Sequence, residues 1–193
     1  MILYVLGIVF ICFLSFRHTI RGEVWSGLFW LLIFFAGINA ASKTFFTENR
    51  EKSIYNYSLY HPSEFIFSKL IYNLLLVWMV SISGVIAFSW MISFPVQDTM
   101  LFFITILLGG MALSGTLTLM GCIASKTGNS FTVMSLLSMP VCIPIMLICL
   151  RLTRYALDGL ERSLSYNYLL ALLLIDVIIV SLSFFLFRYL WRE

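Results

Sequence analysis

Few side chains in this chain of 193 residues carry groups able to do chemistry. Asp176 stands alone in Leu173-Leu174-Ile175-Asp176-Val177, near the middle of an apolar run. A carboxylate at the centre of a bilayer costs at least ~2.5 kcal/mol, so it must face other helices and be paired or protonated. Asn39, inside a different apolar run, is a candidate hydrogen-bond partner. Two readings stay open: a polar pathway or proton site, or a neutral, satisfied bond between helices. His18 and His61 fall between different pairs of apolar runs, where solvated loop positions suit them better than joint ligation of a metal. Cys12, Cys122, Cys142 and Cys149 all lie inside apolar runs without C-x-x-C spacing, and read as small buried hydrophobes. The sequence contains no G-x-x-x-x-G-K-[ST] phosphate loop, no nucleophile elbow and no H-E-x-x-H. Driven work by this chain would therefore draw on another polypeptide or on an ion gradient.

These few polar groups need elements to hold them, and composition says what those are. The chain is 61% hydrophobic and only 11% charged, whereas soluble domains run near ~25% charged. So few charges cannot cover a water-facing surface, which excludes a soluble enzyme, a nucleic-acid binder and a disordered chain. Twelve Lys+Arg against nine Asp+Glu leave +3, too little to argue for an anionic partner.

Six apolar stretches are separable, over 1–16, 24–41, 70–94, 100–124, 131–150 and 168–187. Backbone groups in lipid must bond internally, so each stretch is a helix, and the segments of about ten alternating residues that mark a membrane β-barrel do not occur. The fold class expected is an all-α integral membrane protein of six transmembrane helices, forming one domain over 1–193. Arg17 directly after the first stretch, with no basic segment before it, suits a retained helix better than a cleaved leader. Six spans put both termini on one side. That side holds seven cations, including all four lysines, against five on the other, so the positive-inside rule places both termini in the cytoplasm. Trp25, Trp90, Tyr166, Tyr168, Tyr189 and Trp191 fall near the expected interfaces as anchors. The loop from Arg151 to Arg162, with Asp158 and Glu161, reads as a short solvated helix.

The longest polar segment, 42–69, is cytoplasmic on this topology. Its charges (Lys43, Glu48, Arg50, Glu51, Lys52, Glu64) alternate with aromatics such as Tyr55, Tyr57 and Tyr60. It is too apolar for a free loop and too charged to span, which suits a helix lying on lipid or one presenting aromatics to a partner. Pro62 divides it, and Ser63 is placed to cap the helix that runs on through Lys69. In the fourth stretch Gly110, Ser114, Thr118 and Cys122 form a ridge of small residues, a helix-packing surface either within the chain or at a dimer seam. In the fifth, Pro140 and Pro144 remove two amide donors and predict a kink, fixed or hinge-like.

The order of these features resembles the CcmB family, the membrane permease subunit of the haem-exporter ABC complex of cytochrome c maturation. Ser42-Lys43-Thr44-Phe45-Phe46-Thr47-Glu48, then Leu59-Tyr60-His61-Pro62 and Ser68-Lys69, carry the resemblance most strongly. Gly121-Cys122-Ile123-Ala124-Ser125-Lys126, leading into Met139-Pro140-Val141-Cys142-Ile143-Pro144, is similar to the family's paired-proline fifth helix. The resemblance implies an ABC-2-type permease-like bundle in the bacterial inner membrane. It also implies that 42–69 is a coupling segment, with Glu48, Tyr55, Tyr57, Leu59, Pro62 and Lys69 meeting a CcmA-like subunit that holds the ATP. Two permease chains would pair with two such subunits and work with CcmC-like, CcmD-like and CcmE-like proteins. Haem would be the transported or handled species, and this chain itself would bind no cofactor. The alternatives are a non-transporting membrane scaffold for those partners, and an ion-coupled carrier centred on Asp176.

Overall fold

The computed structural model describes residues 2–16, 21–46, 62–91, 95–125, 130–159 and 162–190. They form six helices: α1 (Ile2–Phe16), α2 (Gly22–Phe46), α3 (Pro62–Met91), α4 (Thr99–Ala124), α5 (Ser130–Asp158) and α6 (Arg162–Leu190). No strand occurs among the described residues. All but α1 are long and apolar enough to cross a membrane; α1 has 15 residues. The 30 residues of α3 would extend ~45 Å at 1.5 Å per residue. That exceeds the ~30 Å hydrocarbon layer, so α3 tilts or projects beyond it.

The helices outrun the apolar stretches because backbone hydrogen bonding does not stop where side chains become polar. Thus α5 continues through Arg151, Arg154 and Asp158. The expected short solvated helix over 151–162 is in fact the last two turns of α5 and the start of α6. Gly159, at φ +63°, ends α5 in the left-handed region, where glycine avoids the Cβ penalty; a Cβ there would also strike Gln97. The amides of Gln97 and Asp98 donate to the Ala156 carbonyl at 3.1 and 2.9 Å, fastening the start of α4 to the end of α5. Asp98 then caps α4, its carboxylate accepting from the Leu101 amide at 3.2 Å. Helix α3 begins at Pro62, so Ser63 lies inside the first turn and is not the cap. A proline at the first helical position loses no needed donor, and its φ is already helical.

Helix α4 is the centre, packing against α2, α3, α5 and α6, while α1 leans mainly on α3. Small residues let the neighbours approach it. A Cβ on Gly109 would lie 2.6 Å from both the Cys149 Sγ and the Trp30 ring, and one on Gly110 would lie 3.0 Å from the Trp78 ring. Around the starts of α2 and α4 and the end of α3, Trp25, Phe29, Trp30, Phe88 and Phe102 form one aromatic cluster, with neighbouring ring centroids 5.4–6.1 Å apart. The Trp30 indole donates to the Thr153 hydroxyl at 2.9 Å, joining α2 to α5. Trp25 is buried in this cluster, which corrects its reading as an interfacial anchor. Trp90, 87% exposed, fits that role, and so does Tyr166. The four cysteines are buried.

Candidate functional site

Two polar features interrupt the apolar interior. The first lies where α2 ends and α3 begins, the two ends of the expected coupling segment. Lys69 occupies the second turn of α3, on the face that carries Ile66, Asn73 and Val77 into the bundle, and it is only 7% exposed. Its ammonium donates to the Thr44 carbonyl at 2.6 Å. It also lies 4.7 and 4.8 Å from the ring centroids of Phe45 and Phe65, where the negative ring faces offset part of its lost hydration. Lys69 was expected to meet a partner; the structure turns it inward, binding α3 to the last turn of α2.

One turn further along α3 the connection continues. The Thr44 hydroxyl lies 2.7 Å from Asn73 Oδ1, the Asn73 amide donates to the Thr118 hydroxyl at 2.9 Å, and Thr118 donates to the Ser114 carbonyl at 2.7 Å. Polar contacts therefore run from the end of α2 through α3 into the middle of α4. Each of the four side chains Lys69, Thr44, Asn73 and Thr118 thus has a polar partner inside the bundle, as an apolar medium favours. Thr44, Asn73 and Thr118 act as a unit here. Only Thr118 was singled out from sequence, and only as a small residue. The lone amide Asn73 inside an apolar stretch, four residues after Lys69 and so on the same helix face, was the available signal.

The small-residue ridge belongs to the inside of the chain. Gly110 faces Trp78 and Val77 of α3, Thr118 bonds Asn73, and Ser114 and Cys122 are buried. Of the two readings of that ridge, packing within the chain describes it. The neighbouring glycines follow suit: Gly115 meets Ile179 of α6 and Gly121 meets Phe45 of α2. Pro140 and Pro144 lie within one uninterrupted α5, on its exposed face. Glu48, Tyr55, Tyr57, Leu59, His18 and His61 lie outside the described residues, and Pro62 is the first residue of α3.

The second feature is Asp176. Its side of α6 faces α3 and α4, it is 6% exposed, and neither carboxylate oxygen has a hydrogen-bond partner. The expected pairing with Asn39 does not form. Asn39 is exposed, and its side-chain amide donates to its own helix at Phe35, 3.0 Å away. The packing of α2 against its neighbours buries Ile38 and Ala40 and leaves Asn39 on the outer face, a placement no spacing within one helix reveals. Asp176 instead borders a cavity of about 170 Å³ between α3, α4 and α6, with Phe67, Ile71, Met111, Ser114 and Val180 among its walls.

At the opposite end from Lys69, Arg154 pairs with Glu23 at 3.0 Å, and Arg151 donates to the Tyr168 hydroxyl at 3.1 Å. Both are exposed tethers between helix ends, worth little individually. No cluster of three or more metal-ligating side chains occurs among the described residues. The described residues thus hold a buried polar tie from the end of α2 and the start of α3 to the central helix, beside a cavity with an isolated carboxylate.

Compared with known families, residues 3–187 match the family described as CcmB protein. Neither a curated protein nor a solved structure matches the chain.

Proposed function

Because the chain belongs to the CcmB family, the membrane subunits of a haem-exporter type of transporter in cytochrome c maturation, we propose that it is the permease half of an ATP-driven complex. A separate CcmA-like subunit would hold and hydrolyse the ATP, with two permease chains and two ATPase chains in the working unit. The complex lies in the bacterial inner membrane with both termini of this chain in the cytoplasm. CcmC-like, CcmD-like and CcmE-like proteins are its membrane and chaperone partners. Haem, or the haem-loaded chaperone, is what it moves or releases.

The observation that carries this reading is the family match over essentially the whole chain. The tie at Lys69 supports its mechanical part. A partner pressing on residues 47–61 acts on a segment whose two flanking helices are joined by Lys69 and Thr44. Displacement then passes to both helices together, and through Asn73 and Thr118 to α4, instead of being lost as independent fraying.

The test is co-purification of the tagged chain from native membranes, followed by ATPase measurement in the recovered complex. A soluble subunit with a phosphate loop should accompany the wild-type chain. Glu48→Lys should leave membrane insertion intact while uncoupling ATP hydrolysis from cytochrome c maturation. Unchanged coupling in that variant would sink the assignment of 42–69 as the coupling segment. Normal maturation with a partner that binds but cannot hydrolyse ATP would replace the permease by a scaffold.

A further inference from the structure

The cavity beside Asp176 takes no part in the proposed coupling, yet it is the least satisfied place among the described residues. A carboxyl group at membrane depth is either protonated or held as the anion by a counter-charge or donors, and among the described residues none bonds either oxygen. Nor would a second copy supply a cation at that depth. Every Lys and Arg of the sequence lies near the ends of the spans or between them, and Lys69, the one buried among the described residues, is already bound to Thr44.

We propose that the cavity between α3, α4 and α6 binds a small lipophilic organic cation, an ammonium on an apolar body, with Asp176 as its counter-ion. The walls define the body. Phe67, Ile71, Met111 and Val180 are apolar, and Ser114 is the one other polar side chain among the residues lining the cavity. A metal ion needs several converging oxygen, nitrogen or sulfur ligands, and no such cluster exists among the described residues. Size limits the body too. The 170 Å³ available is close to the ~150 Å³ of an engineered apolar cavity that accommodates benzene, so one ring or a short alkyl chain fits. Phe67, Ile71 and Val180 are exposed on the outer surface of the bundle, so access is sideways from the bilayer. A haem, larger and carrying its own carboxylates, is excluded by volume and by charge, which makes this site distinct from any path for cargo.

The experiment uses the full chain in lipid nanodiscs with 4-azidobenzylamine as a photoreactive probe. Cross-links should saturate and map to α3, α4 and α6 around Met111 and Val180. Benzylamine should compete at least tenfold better than benzyl alcohol or benzoate. Asp176→Asn should reduce labelling at least tenfold. Val180→Trp, a change at an exposed position that narrows the opening and leaves the carboxylate in place, should do the same without altering the melting temperature. Labelling equal in wild type and both variants, equal competition by the neutral alcohol, or cross-links scattered over the lipid-facing surface would each overturn the proposal. So would a cavity filled by a side chain from another membrane subunit, seen as a specific cross-link from position 180 to that chain.

Discussion

At the residue scale, the informative groups are those whose polar atoms are matched inside an apolar bundle. Lys69 is held by one carbonyl and two ring faces, so removing its charge leaves the Thr44 carbonyl without that donor. Lys69→Met keeps the aliphatic stem and should destabilise the purified chain by about 1–3 kcal/mol, the usual cost of an orphaned buried group, read as a lower melting temperature in detergent. Thr44→Val and Asn73→Leu should be non-additive, because each removes one member of the same contact. A double-mutant cycle is expected to give a coupling energy of about 0.5–3 kcal/mol, and strict additivity would show that the 2.7 Å contact contributes nothing. The sequence showed these groups as residue types only. Lys69 stood in the opening turns of a helix and, by the resemblance, as a partner contact, and nothing in its spacing announced that Thr44, 25 positions earlier, would receive it.

At the element scale, α4 carries the prediction with the clearest contrast. Gly109→Ala would place a methyl group 2.6 Å from Cys149 and Trp30, and overpacking of this kind typically costs about 1–3 kcal/mol. Gly27→Ala in α2 meets nothing within 4 Å and should be neutral or stabilising by up to ~1 kcal/mol, the helix propensity difference. Measured side by side in the same detergent, Gly109→Ala should lower the melting temperature while Gly27→Ala leaves it unchanged or raises it. The prolines of α5 belong to this scale as well. Pro140 and Pro144 leave the Leu136 and Pro140 carbonyls without their amide donors on an exposed helix face. Replacing both by alanine restores those donors and should raise thermal stability, and a simultaneous loss of maturation activity would identify the weakened turn as a working hinge. The ridge of small residues was legible as a packing surface. Its partner was not, because a small residue admits any helix close to it.

At the scale of the whole molecule, the helical bundle places the start of α2, the end of α3 and the Gln97–Asp98 link at one end, with the Lys69 tie at the other. On the proposed topology the first end faces away from the cytoplasm. Cysteines introduced singly at the exposed positions Gln97 and Lys43 should therefore react with a membrane-impermeant thiol reagent from opposite sides of inner-membrane vesicles. The four native cysteines are buried and should remain silent. Labelling of both from one side would reverse or dismantle the proposed orientation.

The all-helical membrane architecture was determined by the sequence alone, because a chain with so few charges has one way to satisfy its backbone in lipid, and runs of about twenty apolar residues mark where it does so. Local chemistry likewise foretold a helix running through Lys69 and a small-residue face on α4. The meeting of distant groups was decided only by the tertiary structure. Lys69 bonds Thr44, Asn73 reaches Thr118, Asn39 turns outward and Asp176 is left facing a cavity. Helix periodicity fixes which residues share a face, but the rotation and depth of each helix against its neighbours follow from the packing of all six together, and that packing assigns every polar side chain its partner or leaves it without one.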